Sequence, residues 1–142
     1  MARLTRWPTC PVALLALLLA SCGRSELAGA RGRVTLDGQP LADAYVVFCP
    51  TRQGTTSYGK TDADGRYRML FKDNEPGAWL GENLVRITTG DLAAGDHPAA
   101  AERVPVVYNL KTALKVEVLP QDNVFDFDLK SDAGKVVQPA DR

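Results

Sequence analysis

The sequence is short of the residues from which reactive sites are built. It has one histidine, His97, and three cysteines in 142 residues. A zinc centre draws several ligands from those two residue types, so no metal is expected. Charge of one sign is missing too: 17 basic residues face 17 acidic ones. That balance offers no basic stripe for nucleic acid, which is not expected as a partner. Beyond residue 21 no apolar run approaches the roughly eighteen residues of a membrane-spanning helix.

What is present begins with an address. Arg3 and Arg6 precede an apolar stretch of nine residues, 12–20. That is the length of a signal h-region, helical when inserted, and too short to cross a bilayer. Leu19-Ala20-Ser21-Cys22 closes it. This run resembles the bacterial lipobox: a branched apolar residue at −3, small residues at −2 and −1 for the peptidase, and a thiol at +1 that takes a diacylglycerol. The resemblance implies cleavage before Cys22 and lipidation of Cys22 by two or three palmitate-type acyl chains. Two or more chains anchor firmly where one gives only marginal binding. Gly23 stands where an Asp would favour retention in the inner membrane of enterobacteria. The implied location is the cell envelope, towards the outer membrane or the periplasmic face.

Residues 1–21 are therefore set aside as a signal peptide. The remaining 121 residues carry 15 basic and 17 acidic side chains, a balance of −2. With Cys10 in the signal and Cys22 acylated, Cys49 is the only ordinary thiol, and no intramolecular disulfide can form. A small exported domain of this kind relies on its core. Residues 22–32 show no apolar period and read as a tether. Residues 33–129 read as one β-domain, and 130–142, again without period, as a mobile tail.

Within the domain, short alternating runs are separated by turn signals. Val34 and Leu36 share one face of a first strand, and Asp37-Gly38 is a tight-turn signal. The continuous apolar run 45–49 predicts a central strand covered on both faces, ended by Pro50. Strands follow at 57–61, 66–71 and 83–89, and 104–108 is extended. Leu114, Val116 and Val118 alternate, as do Phe125, Phe127 and Leu129, and the two runs read as a hairpin. The expected core is Val34, Leu36, Val47, Tyr67, Met69, Val85, Ile87, Leu114, Val116, Val118, Phe125 and Phe127. About seven strands and no mature helix predict an all-β two-sheet sandwich.

Three local motifs carry a resemblance. Gly32-Arg33-Val34-Thr35-Leu36-Asp37-Gly38-Gln39-Pro40-Leu41-Ala42-Asp43-Ala44, then Thr61-Asp62-Ala63-Asp64-Gly65-Arg66-Tyr67, then Gly81-Glu82-Asn83-Leu84-Val85-Arg86-Ile87 are similar to the opening, the turn and a later strand of carboxypeptidase regulatory-like domains. Asn83 stands where those domains commonly have an aromatic. The resemblance spans roughly residues 31–129 and implies a seven-stranded Greek-key sandwich of the transthyretin (prealbumin) type, as found in small bacterial lipoproteins. It implies little about function, since one fold hosts many.

Candidate sites are few. Asp62-Ala63-Asp64-Gly65 has the look of a calcium loop, but placing Gly65 at position six puts Lys60 at one and Phe71 at twelve, where ligands are required. A turn closed by Asp62 is the better reading. Cys49 and His97 would be a nucleophile–base pair only if a core strand met a loop residue. Hydroxyisourate hydrolase shares the transthyretin fold but needs several histidines and a C-terminal Tyr-Arg-Gly-Ser. This chain has one histidine and ends in Gln138-Pro139-Ala140-Asp141-Arg142. Asp126 and Asp128 share one strand face, Arg66 and Arg68 another, and both pairs read as solvated surface. The sequence thus predicts no catalytic residue, cofactor or metal. It predicts a non-enzymatic structural or interaction module, partnered with a membrane through its lipid and with an envelope protein or glycan. The alternative is a carbohydrate- or peptide-binding module using loop 90–103 with Trp79, Tyr58 and Tyr108. A hydrolase is the least supported reading.

Overall fold

The computed structural model describes residues 26–91 and 98–141. The signal segment, Cys22 and His97 lie outside them. The strands are β1 (Leu27–Ala28), β2 (Ala30–Leu36), β3 (Gln39–Pro40), β4 (Tyr45–Pro50), β5 (Ser57–Lys60), β6 (Arg66–Arg68), β7 (Ala78–Trp79), β8 (Gly81–Thr88), β9 (Lys115–Val118), β10 (Asn123–Val124) and β11 (Phe127–Leu129). Only short 3-10 turns accompany them, so the described chain is all-β. Seven of these strands have three or more residues, and they fall where the alternating runs place them.

Two larger sheets share one core, to which the two-stranded sheet β1–β7 adds Ala78. The first is antiparallel in the order β5-β4-β8-β9. The second is built around β2, the longest of its strands. On one edge β2 pairs antiparallel with β6 and β3. On the other it runs parallel to β10 and then β11, with Asn123 beside Ala30 and Phe127 beside Val34. The offset is the same for both, so 123–129 follows 30–36 in a single register. Val34, Tyr67, Met69 and Leu129 from the second sheet meet Val46, Phe48, Val85, Ile87 and Val118 from the first. Phe48 meets Phe125 edge-on at 5.8 Å, a favoured aromatic geometry.

The Asp37-Gly38 turn forms as its sequence requires. It links β2 to β3 as a two-residue loop, with φ of 51° at Asp37 and 81° at Gly38. Positive φ at both positions matches the right-handed twist of the flanking strands.

Several expectations are corrected. The run 114–129 is not a hairpin: β9 pairs with β8, whereas β10 and β11 cross to the other sheet and lie parallel to β2. The central strand β4 buries Val46 and Phe48, while Val47 sits half-buried on the opposite face. A continuous apolar run has no alternation from which to read its inward parity. Leu36, Leu114, Val116, Phe125 and Phe127 pack against the core but remain partly exposed. The segment expected to be extended at 104–108 ends in a 3-10 turn, Val106–Tyr108.

Both proposed flexible ends contribute to the fold. The tether is shorter than 22–32, because β1 pairs with β7 and β2 starts at Ala30. The tail docks. Ser131 N donates to Asp37 Oδ1 at 3.0 Å, and Val106 N donates to the Lys135 carbonyl at 2.9 Å. Gln138 pairs with the main chain of Glu102 in both directions, at 3.0 and 3.2 Å. These are specific polar contacts made by residues without apolar periodicity, so a hydrophobic pattern does not reveal them.

Candidate functional site

The strand pair β2–β6 gathers charge. Two residues apart on one strand point to the same face, so Arg31 and Arg33 flank Gly32, and Arg66 and Arg68 flank Tyr67. The antiparallel register sets Arg31 opposite Arg68 and Arg33 opposite Arg66, with Gly32 opposite Tyr67. All four arginines are exposed, while Tyr67 turns into the core. They form the floor of an open trough of about 600 Å³, bordered also by Lys60, Val124 and the carboxylates of Asp62 and Asp126. Five cations thus meet two anions.

The anions are only half committed. Asp62 Oδ1 accepts the amides of Asp64 and Arg66, both at 2.9 Å, and closes the turn. This is the Asx-type turn that the sequence favoured over a calcium loop. Asp126 Oδ1 accepts Arg33 N at 2.8 Å. The second oxygen of each has no partner among the described residues. The cations differ. Arg31 approaches Asp122 at 3.6 Å, and Arg33 Nε donates to the Asp64 carbonyl at 2.9 Å. Lys60 pairs with Asp43 at 3.0 Å and lies over the Tyr45 ring. The hydrogen bond and charge of Asp43 raise its pKa. The guanidinium groups of Arg66 and Arg68 have no hydrogen-bonding or ion-pair partner among the described residues.

A close approach holds the trough together. A Cβ on Gly32 would lie 1.8 Å from the Phe125 carbonyl oxygen. That same oxygen accepts the Tyr67 hydroxyl at 2.6 Å. Burial, and behind it the charge of Asp126, push the Tyr67 pKa far up, so the hydroxyl stays a donor. Arg-x-Arg occurs twice in the sequence, at 31–33 and 66–68. The repeat is the signal that could have revealed this face. Placing 31–32 in a tether hid it.

The other candidates do not converge here. Among the described residues no group of three or more His, Cys, Asp or Glu could hold a metal. Cys49 is partly buried in β4 opposite Leu84, and its suggested partner His97 lies outside the described residues. Trp79 packs on Phe71 at 5.8 Å, Tyr58 is exposed, and the Tyr108 hydroxyl accepts Lys130 N at 3.2 Å. None of the three lines the trough. Asp128 accepts the Thr35 hydroxyl at 2.6 Å and so is more than solvated surface.

A second charged region is built oppositely. The described part of loop 90–103 is closed by reciprocal hydrogen bonds between Asp91 and Ala100, both 3.0 Å. It leads to Glu102, which is 4% exposed. The Glu102 carboxylate accepts the amides of Thr89 (2.9 Å), Val104 (3.0 Å) and Arg103 (3.1 Å). It also accepts the hydroxyls of Thr88 and Thr89 and the Asn109 amide. Burial pushes its pKa up, but the hydrogen bonds from Thr88, Thr89 and Val104 outweigh that and hold it at about 2. This carboxylate does not line the arginine trough and serves as a structural knot. No protein-family model, curated protein or solved structure matches this chain.

Proposed function

We propose that the chain is an envelope lipoprotein, anchored through Cys22, whose β-domain binds a partner rather than transforming one. The fold we assign it is the Greek-key, transthyretin-like sandwich of carboxypeptidase regulatory-like domains. The all-β architecture, with two larger sheets over one core, and the turns at Asp37-Gly38 and Asp62–Gly65 support that assignment. The observation that carries the binding role is the arginine trough. It is a concave surface of fixed charges on paired strands, and among the described residues no cysteine, serine or histidine lines it as a nucleophile or base. A site that only binds needs fixed complementary charge, and guanidinium groups supply it at every physiological pH.

One observation favours a second reading. Asp62 and Asp126 border the same trough, and paired carboxylates are what glycoside hydrolysis uses. Each already holds a backbone amide, which suits a positioning role better. Release of reducing ends from an acidic oligosaccharide would establish the hydrolase instead.

Fractionation tests the anchor. Replacing Cys22 with Ser should move the protein out of the membrane fraction and abolish its labelling by fatty acid. Unchanged labelling of Cys22→Ser would sink the lipoprotein assignment.

A further inference from the structure

The trough has two properties that a surface of solvated charges does not need. Like charges stand directly opposite each other on paired strands, an arrangement that costs stability. Among the described residues the guanidinium groups of Arg66 and Arg68 then have no partner that would offset the cost. Opposed positions on an antiparallel pair lie about 4.5–5.5 Å apart. Alternate positions along a strand lie about 6.5 Å apart. The four arginines are therefore rooted on a grid of backbone positions, and their guanidinium groups, carried on long side chains, can serve a ligand with two or more anionic groups. Planar forks of this kind match carboxylate or phosphate oxygens two at a time.

Charge alone does not describe the site. Asp62 and Asp126 each present an unused carboxylate oxygen beside the arginines. An ionised carboxylate only accepts hydrogen bonds. It repels a ligand made of anionic groups alone but accepts from hydroxyls. A trough that offers cations and acceptors side by side suits a molecule carrying both acidic groups and hydroxyls. A lipid surface, flat and rich in phosphate, uses the cations but not the acceptors, and it fits a concave face poorly. Tyr67 lines the trough but is only 4% exposed, and Tyr58, Trp79 and Tyr108 do not line it, so its lining offers no open ring on which a neutral sugar would stack. The volume of about 600 Å³ lies within the range of small-molecule sites and accommodates a short oligosaccharide rather than a single ion.

We infer that the β2–β6 trough binds an acidic glycan: its carboxylate or phosphate groups rest on Arg31, Arg33, Arg66 and Arg68, and its hydroxyls donate to Asp62 and Asp126. This rests on the binding reading above but not on the lipid anchor.

The test uses the full chain in neutral detergent micelles, titrated by calorimetry with tetragalacturonate, its neutral methyl ester and tripolyphosphate. Tetragalacturonate should bind and the methyl ester should not. The double variant Arg66→Gln/Arg68→Gln should weaken binding at least tenfold. The Lys counterpart should retain charge but lose the fork and fall between. Asp126→Asn keeps the acceptor to Arg33 N but replaces the free carboxylate oxygen, an acceptor for sugar hydroxyls, with an NH2 donor and removes a negative charge, so the affinity for tetragalacturonate should fall relative to that for tripolyphosphate. Three results would overturn the inference: tripolyphosphate binding as tightly as the acidic sugar, displacement of the sugar by phosphatidylglycerol added to the micelles, or no galacturonate binding. Membrane release by Cys22→Ser is read separately, so loss of either assignment is recognised without the other.

Discussion

Two regions of this molecule hold ionised side chains in opposite ways. Around Glu102 one negative charge is buried and surrounded by donors from Thr88, Thr89, Arg103, Val104 and Asn109. On β2 and β6 four positive charges are exposed and set against one another, and the guanidinium groups of two of them have no partner among the described residues. The first arrangement is satisfied within the chain, and its effect is structural: it binds the end of β8 to the main chain at 103–104 and to Asn109, which follows the 3-10 turn at 106–108. The second is incomplete among the described residues. Charge that the fold does not neutralise, kept where it destabilises, points to a partner outside. A buried carboxylate is thus the less functional of the two here, although burial alone would have drawn attention to it first.

The largest test of that contrast is removal of the knot. Glu102→Ala leaves several buried amides and hydroxyls without acceptors, each costing about 1–3 kcal/mol. Partial relaxation should hold the total loss to about 4 kcal/mol, measured by denaturant unfolding. A loss below about 1 kcal/mol would show that water replaces the carboxylate freely. Acid probes the same group without mutation. Its folded pKa of about 2 lies below the usual value of 4.5. The stability it contributes is therefore complete above about pH 4.5 and is lost as pH falls towards 2. For a group this buried the loss approaches about 3 kcal/mol. In Glu102→Gln that acid-dependent part should vanish.

Next in size is the close approach beneath the arginines. Gly32→Ala places a methyl group where the Phe125 carbonyl oxygen lies. Strand β2 must then move away from 123–129, which also breaks the Tyr67–Phe125 hydrogen bond. Overpacking of this kind costs about 1–3 kcal/mol, and the loss should sit near the top of that range. The variant should melt lower and bind the acidic sugar more weakly. An unchanged melting temperature would mean that the parallel strand is held less closely than described.

These sites differ in how visible they were in the sequence, and the reason is range. The period-two runs at Val85 and Ile87 and at Tyr67 and Met69 report burial directly, and Asp37-Gly38 reports its turn through backbone freedom. The pairing of 123–129 with 30–36 joins segments 93 positions apart, and nothing local to either segment encodes it. Asp126 and Asp128 therefore looked like solvated surface until β2 was beside them. The arginine face was half legible. Each Arg-x-Arg run is readable, but their register depends on where the first strand begins, and no apolar period before Val34 marks Ala30 as its start. Glu102 left no pattern at all, because its donors are main-chain amides and scattered Thr and Asn side chains.

The smallest effect sharpens the comparison most, because its sign is unusual. Mutations at a well-formed strand pair usually destabilise. Removing like charges that face each other should instead stabilise, by roughly 0.2–1 kcal/mol per opposed pair. Arg68→Gln relieves Arg31, and Arg66→Gln relieves Arg33, so each should raise the unfolding midpoint at low salt. The gain should shrink in 1 M salt, where the screening length falls to about 3 Å. Arg→Lys at the same positions keeps the charge and should give no gain, which separates repulsion from lost packing of the side-chain stem. Bound tetragalacturonate should reverse the order, making the unsubstituted chain the more stable one. If both Gln variants destabilise at low and high salt alike, the arginines contribute to the fold as Glu102 does, and the contrast between the two regions disappears.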